Sequence, residues 1–251
     1  MGESITERGI VLSTSRLGEY DKRAVILTEN CGKITAFANG AMRKNSPLAA
    51  AAQSFVMAAF TLYPGRDAYR LTGAKLEENF FELTLDPEKY ATASYVTELT
   101  QYYTQENLES KAELNLLYCA FHALLDDTDT DTVRAAFTAR LLEIQGEAPD
   151  MIMPEGLDMA YVNPSTGHLQ KEQYGYHGEK LYHVSPRDAA IMNMLYRLPL
   201  PKVCKLKEAK EVSGLTEYLL DRMMDRPLKS AATIKQMQAF MQTVQAKIPT
   251  S

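Results

Sequence analysis

Residues 32–48 read GKITAFANGAMRKNSPL, and the reading of this stretch decides the fold. From Lys33 to Ala38 the side chains alternate, with Ile34, Ala36 and Ala38 on one side and Thr35 and Phe37 on the other. A period of two is what a strand with two different faces requires. Asn39-Gly40 and Ser46-Pro47 supply turn chemistry, because glycine tolerates positive φ and proline fixes its own. Between the turns stand Arg43 and Lys44. Two adjacent cations on a loop at a strand's end either meet phosphate or are merely solvated, and the stretch alone leaves both readings open.

Working outward, residues 9–15 (GIVLSTS) and 23–29 (RAVILTE) read as two strands before it, separated by turn residues 16–20. After it, residues 49–52 suit a short helical turn. Residues 54–63 (SFVMAAFTLY) form an apolar strand stopped by Pro64-Gly65, and residues 69–77 (YRLTGAKLE) a fifth. Five short strands in about seventy-five residues, with no long helix between them, favour a small antiparallel barrel or sandwich of OB-fold size. Closure of a barrel also removes exposed strand edges.

The period then changes. Residues 87–103 open on proline, which suits a first helical turn. Leu114, Leu117, Tyr118, Phe121, Leu124 and Leu125 recur at helical spacing. The charged run DDTDTD (126–131) breaks that helix and reads as a solvated loop. Thr130 or Asp131 can cap a third helix over residues 132–145, with Val133, Ala136, Phe137, Leu141 and Ile144 on its apolar face and Gly146 at its end. Residues 148–185, rich in Pro, Gly, Tyr and His, read as an irregular or hairpin-containing insert that turns at residues 163–167. Ser185-Pro186-Arg187-Asp188 starts a helix running to about residue 198, and two more cover residues 206–224 and 228–247. The expected class is α+β: a five-stranded OB-fold barrel over residues 1–80, then an all-helical C-terminal domain over residues 81–251 with its insert.

No apolar run approaches the ~20 residues of a membrane span, and MGESITERG has neither the basic nor the apolar region of a signal peptide. Cys31, Cys119 and Cys204 are odd in number and far apart, which gives neither a disulfide framework nor a thiolate zinc site. The cytoplasm is therefore the expected compartment, and no membrane is expected as a partner. No glycine-rich phosphate loop, metalloprotease helix or nucleophile elbow occurs, so nothing requires an enzyme. His122 reads as a packing residue. His168, His177 and His183 are spaced nine and six residues apart, unlike the close ligand pairs of zinc sites, and no metal or other cofactor is expected.

The net charge of −5 argues against a generic nucleic-acid binder, but it is unevenly spread. Residues 1–75 hold 10 Lys and Arg against 6 Asp and Glu, whereas residues 76–251 hold 17 against 26. Arg16, Lys22, Arg23, Lys33, Arg43, Lys44 and Arg66 all fall on or beside barrel turns, where a closed barrel can gather them around one groove. Cationic grooves with aromatic stacking faces bind single strands in OB-folds. Phe37 and Phe55 are each read first as barrel core and only second as stacking faces; Tyr63 and Tyr69 flank a turn. Lys202, Lys205, Lys207 and Lys210 form a second cluster, which either extends that surface or solvates a helix.

The run from Gly9-Ile10-Val11-Leu12 through Leu27-Thr28, Gly32-Lys33, Gly40-Ala41-x-Arg43 and Ser46-x-Leu48 to Gln53-x-Phe55 resembles the bacterial RecO family of DNA repair proteins. Arg226-Pro227-Leu228-Lys229-Ser230 is similar to a late element of that family, and Gly146 falls where the family expects it. The resemblance implies a recombination mediator without catalytic chemistry. Such a protein binds single- and double-stranded DNA, anneals complementary strands, engages the C-terminal tail of the single-strand-binding protein, and works with RecR to load the recombinase. The tail is acidic with an apolar end; Arg134 and Arg140 beside Phe137 and Leu141 are the residues the resemblance suggests for it.

Two departures stand out. Many relatives carry a four-cysteine zinc site at about residues 150–185, and no cysteine occurs there, so zinc is expected to be absent. Asn39 and Met42 stand where relatives are often basic, which thins the cationic loop. Beside the DNA-binding mediator stand an adaptor that binds the partner's tail with little DNA affinity, and a metal-dependent hydrolase built on the insert histidines.

Overall fold

A computed structural model describes residues 3–163, 165, 167–175 and 178–245. Strands β1 (Ile5–Leu17), β2 (Asp21–Thr28), β3 (Gly32–Ala38), β4 (Val56–Pro64) and β5 (Tyr69–Asn79) close into a barrel in the order β1-β2-β3-β5-β4. All pairings are antiparallel except β3 with β5, where Ala36 faces Tyr69 and Phe37 faces Arg70. This is the five-stranded OB-fold barrel predicted by the strand count. Ile34, Ala36 and Ala38 point inward to Val11, Ala24, Ile26, Phe60, Leu62 and Leu71, all buried. Small side chains at 24, 36, 38 and 58 leave room for Phe60 at the centre of a narrow barrel. Register shifts in β1 and β5 bend the strands enough to close it.

The chain enters and leaves β3 through glycine. Gly32 has φ +67°, and a Cβ there would lie 2.0 Å from the carbonyl oxygen of Gln105. That approach lets the Lys33 amide donate to the Gln105 carbonyl at 3.1 Å and the Asn107 amide to the Cys31 carbonyl at 2.9 Å. Gly40, at φ +69°, turns the chain into residues 41–55. Residues 49–52 form turns rather than a short helix. Ala51 and Ala52 are drawn into the barrel core, and the segment ends at Phe55, which is buried, with its amide bonded to the Val11 carbonyl at 2.8 Å.

The chain forms two compact units, one of residues 1–86 and 97–118 and the other of residues 87–96 and 119–251. Helices α1 (Pro87–Tyr103) and α2 (Lys111–Leu125) are divided between them. The second unit adds α3 (Thr130–Ile144), α4 (Pro186–Arg197), α5 (Leu200–Val203), α6 (Ser213–Met223) and α7 (Lys229–Gln245). Asp129, one residue earlier than expected, caps α3 by accepting from the Thr132 amide at 3.0 Å. Ser185 and Asp188 make the reciprocal capping box that starts α4.

Residues 206–224 are not one helix but a 3-10 stretch, Lys207–Val212, followed by α6. Leu206, Ala209 and Val212 recur every third residue, and Ala209 and Val212 are buried, so this segment follows the 3-10 period. The insert holds a three-stranded sheet ordered β7 (His168–Gln170), β6 (Ala160–Asn163), β8 (His183–Val184). Of the insert histidines, His168 and His183 lie on these strands, while His177 lies outside the described residues, as do two positions of the turn at 163–167. Among the described residues no group of three or more His, Cys, Asp and Glu side chains is placed to hold a metal ion, and no helix is long and apolar enough to cross a membrane.

Candidate nucleic-acid interface

With Ile34, Ala36 and Ala38 committed to the core, the pleat turns Lys33, Thr35 and Phe37 outward. Phe37 is thus half-buried on the barrel's outer face, which corrects its reading as core; Phe55 is core. Strand pairing extends Phe37 into a row: Ser15 faces Arg23, Arg23 faces Phe37, Phe37 faces Arg70, and Arg70 faces Tyr63. The guanidinium of Arg70 lies 5.3 Å over the Tyr63 ring. Leu17, Phe37, Asn39, Tyr63, Tyr69 and Arg70 line a shallow groove here. The row from Arg23 to Tyr63 crosses three strand spacings, about 14 Å.

The seven cations named from the sequence divide by what they already hold. Lys22 donates to the Ala52 carbonyl at 2.8 Å, and Lys33 donates to the Gln101 carbonyl, so both fasten passing chain to the barrel. Arg16, Arg23, Arg43, Lys44 and Arg66 are exposed. Of these, Arg23 sits in the row beside Phe37, and Arg16 adjoins the groove residue Leu17. Arg66 rides the turn that the Gly65 amide closes onto the Ala68 carbonyl at 3.0 Å. Arg43 lies 5.4 Å over the ring of Tyr20.

Arg70 and Tyr20 were missed by sequence reasoning, although Arg70 was legible: Leu71 is inward, so its neighbour must face out. Among the described residues neither Arg23 nor Arg70 is ion-paired, unlike Arg8, which Glu29 and Glu77 hold at 3.0 and 2.8 Å. The groove therefore offers aromatic faces beside uncompensated positive charge.

Residues 1–80 match the family model described as Recombination protein O N terminal, and residues 84–232 match that described as Recombination protein O C terminal. The chain belongs to the RecO family. It is 27% identical over 231 residues to a DNA repair protein RecO of Desulforamulus reducens, covering 88% of this chain and 90% of that protein. It is 24% identical over 221 residues to one of Shouchella clausii, covering 86% of each. A third, of Alkaliphilus metalliredigens, is 33% identical over 148 residues, which are 59% of this chain and 60% of that protein.

The residues that the RecO resemblance suggested for a partner's tail do not form one surface. Phe137 and Leu141 have no exposed area, because α3 is buried on almost every side, including at Thr132, Ala135, Thr138, Ala139 and Leu142. Arg140 pairs with Glu143 at 3.3 Å, and its Nε is buried without an acceptor. Arg134 bonds the Thr92 hydroxyl at 3.4 Å and the Asp131 carboxylate, and it borders a cavity of about 350 Å³. The apolar wall of that cavity is Leu220, Met224, Leu228 and Ile234, not the α3 residues. The second lysine cluster is partly neutralised: Lys205 binds Asp126 at 2.6 Å and Lys210 binds Asp129 at 2.8 Å.

Proposed function

We propose that this chain is a non-catalytic mediator of DNA repair and homologous recombination that binds single-stranded DNA along the barrel groove. The relatives' shared name, DNA repair protein RecO, supports the general role. The observation that carries the DNA reading is the row Arg23–Phe37–Arg70–Tyr63, in which cations and rings alternate across adjacent strands. Unstacked bases present π-faces to rings, and guanidinium groups meet the phosphates between them. Duplex DNA hides its base faces and can use only the cations, so single strands bind more tightly. Strand annealing, loading of recombinase with RecR onto DNA coated by single-strand-binding protein, and a cytoplasmic, nucleoid-associated location complete the reading.

The test is a titration of labelled oligothymidylate with the wild-type chain, Phe37→Ala and Arg23→Ala/Arg70→Ala at two salt concentrations. Each lost phosphate contact lowers the salt slope by about 0.7 for a single strand. Unchanged affinity and slope in both variants would remove the groove from the DNA-binding account.

A second reading, an adaptor for the single-strand-binding protein's tail with little DNA affinity, has its own observation. The Arg134 cavity joins an apolar wall to Arg134, Arg226 and Lys235, with Glu217, Asp221 and Asp225 also on its lining. An acidic peptide with an apolar end would be held there by its apolar end and by those three cations against the carboxylates beside them. Tight binding of such a peptide, lost in Arg134→Ala, together with no measurable DNA affinity, would favour it.

A further inference from the structure

The end of the groove at Asn39 continues into a rim built from two loops. The Gly40 amide donates to Asp21 Oδ1 at 2.6 Å, and the Met42 amide donates to the Tyr20 carbonyl at 2.9 Å. Arg43 folds back beside Gly40, and its guanidinium lies over the Tyr20 ring. Among the described residues Arg43 is in no ion pair, and Tyr20 keeps 43% of its surface exposed. Resting on an aromatic face leaves the guanidinium's charge uncompensated and its donors directed outward. Two carboxylates stand here, Glu19 against the Tyr20 side chain and Asp21 on the Gly40 amide, and Asp21 is the one tied to the loop backbone. A carboxylate beside a cationic groove repels phosphate, and its acceptor is spent on a backbone amide rather than on a cation.

We propose that Tyr20 and Arg43 form an additional contact subsite that carries a single strand beyond the sheet, and that Asp21 is the positioning residue that holds it in place. This rests on the reading of the groove as a single-strand site. Asp21 fixes the amide of Gly40, whose left-handed backbone sets the direction of residues 41–43, and so fixes Arg43 over Tyr20. Without that bond the loop keeps its cations but loses their placement.

The sign of one substitution separates this role from simple charge. If Asp21 were only a surface carboxylate, removing it would tighten DNA binding. A clamp gives the opposite result in Asp21→Ala, whereas Asp21→Asn, which keeps an oxygen acceptor and drops the charge, binds at least as tightly as wild type. The probes are oligothymidylates of about four and about ten nucleotides, the shorter filling only the sheet and the longer reaching the rim. Asp21→Ala should weaken the longer probe by about fivefold, the effect of one lost hydrogen bond, and leave the shorter unchanged. Tyr20→Ala should do the same.

Tighter binding by Asp21→Ala, equal losses on both probes, or no rescue by Asp21→Asn each overturns the inference while Phe37→Ala still weakens binding of both probes. If the wild-type chain binds neither probe, or Phe37→Ala changes nothing, the groove assignment fails and takes this inference with it.

Discussion

Phe37 and Phe60 are both aromatic residues on barrel strands, yet the parity of one position gives them opposite work. Phe60 has no exposed area, and its truncation to alanine should cost about 3–5 kcal/mol of stability. Phe37 is half-buried on the outer face, so Phe37→Ala should lower the denaturation midpoint far less than Phe60→Ala does while weakening single-strand binding by about 1–3 kcal/mol. Parallel urea titration and DNA titration separate the two effects. Gly32 makes a complementary point. Its φ of +67° and a Cβ position 2.0 Å from the Gln105 oxygen leave no room for a side chain. Gly32→Ala should destabilise by more than the backbone strain of about 1–3 kcal/mol, because the Cβ also clashes with the Gln105 and Leu108 carbonyl oxygens, read as a lower urea midpoint.

At the scale of elements, β3 was legible because its two faces differ, and a period of two needs no tertiary information. The groove row was only half legible. Arg23 and Phe37 could be placed outward by alternation, but their meeting with Arg70 depends on the parallel β3–β5 pairing, which no local pattern announces. Helix α3 shows the opposite failure. Its stripe of Val133, Phe137 and Leu141 was correctly apolar, but Ala135, Thr138 and Ala139 are buried as well. Small residues read as neutral in sequence, so the helix looked half open when it is enclosed.

Asp129 at its start gives a pH prediction. Partial burial pushes its carboxyl up, but hydrogen bonds from Lys210 and from the Thr132 amide outweigh this and leave it below its ordinary 3.8. A folded value below the unfolded one means stability that is present above the unfolded value and lost as pH falls through the folded one. Thermal melts should show the wild-type advantage over Asp129→Asn vanishing as pH drops below about 4. Asp129→Ala should lose about 1 kcal/mol of helix capping at neutral pH, and Asp129→Asn much less.

Over the whole molecule, the net charge of −5 concealed a division of labour. Lys205 and Lys210 are taken up by the acidic loop, whereas Arg23 and Arg70 on the barrel are in no ion pair among the described residues. Strand count made the barrel legible, but its support was not: residues 97–118 belong to the same compact unit. They contribute the Gln105 acceptor, a Tyr118 hydroxyl donating to Glu78 at 2.9 Å and the Tyr118 ring 5.8 Å from Phe80. A fragment ending at residue 86 should therefore melt well below one ending at residue 125, compared by circular dichroism.

The central claim is that the row across β2, β3, β5 and β4 is where a single strand binds. It is tested most directly by the salt dependence of oligothymidylate affinity in the wild-type chain and in Arg23→Ala/Arg70→Ala. Loss of two phosphate contacts predicts weaker binding and a slope smaller by about 1.4; wild-type affinity and slope in the double variant would contradict it.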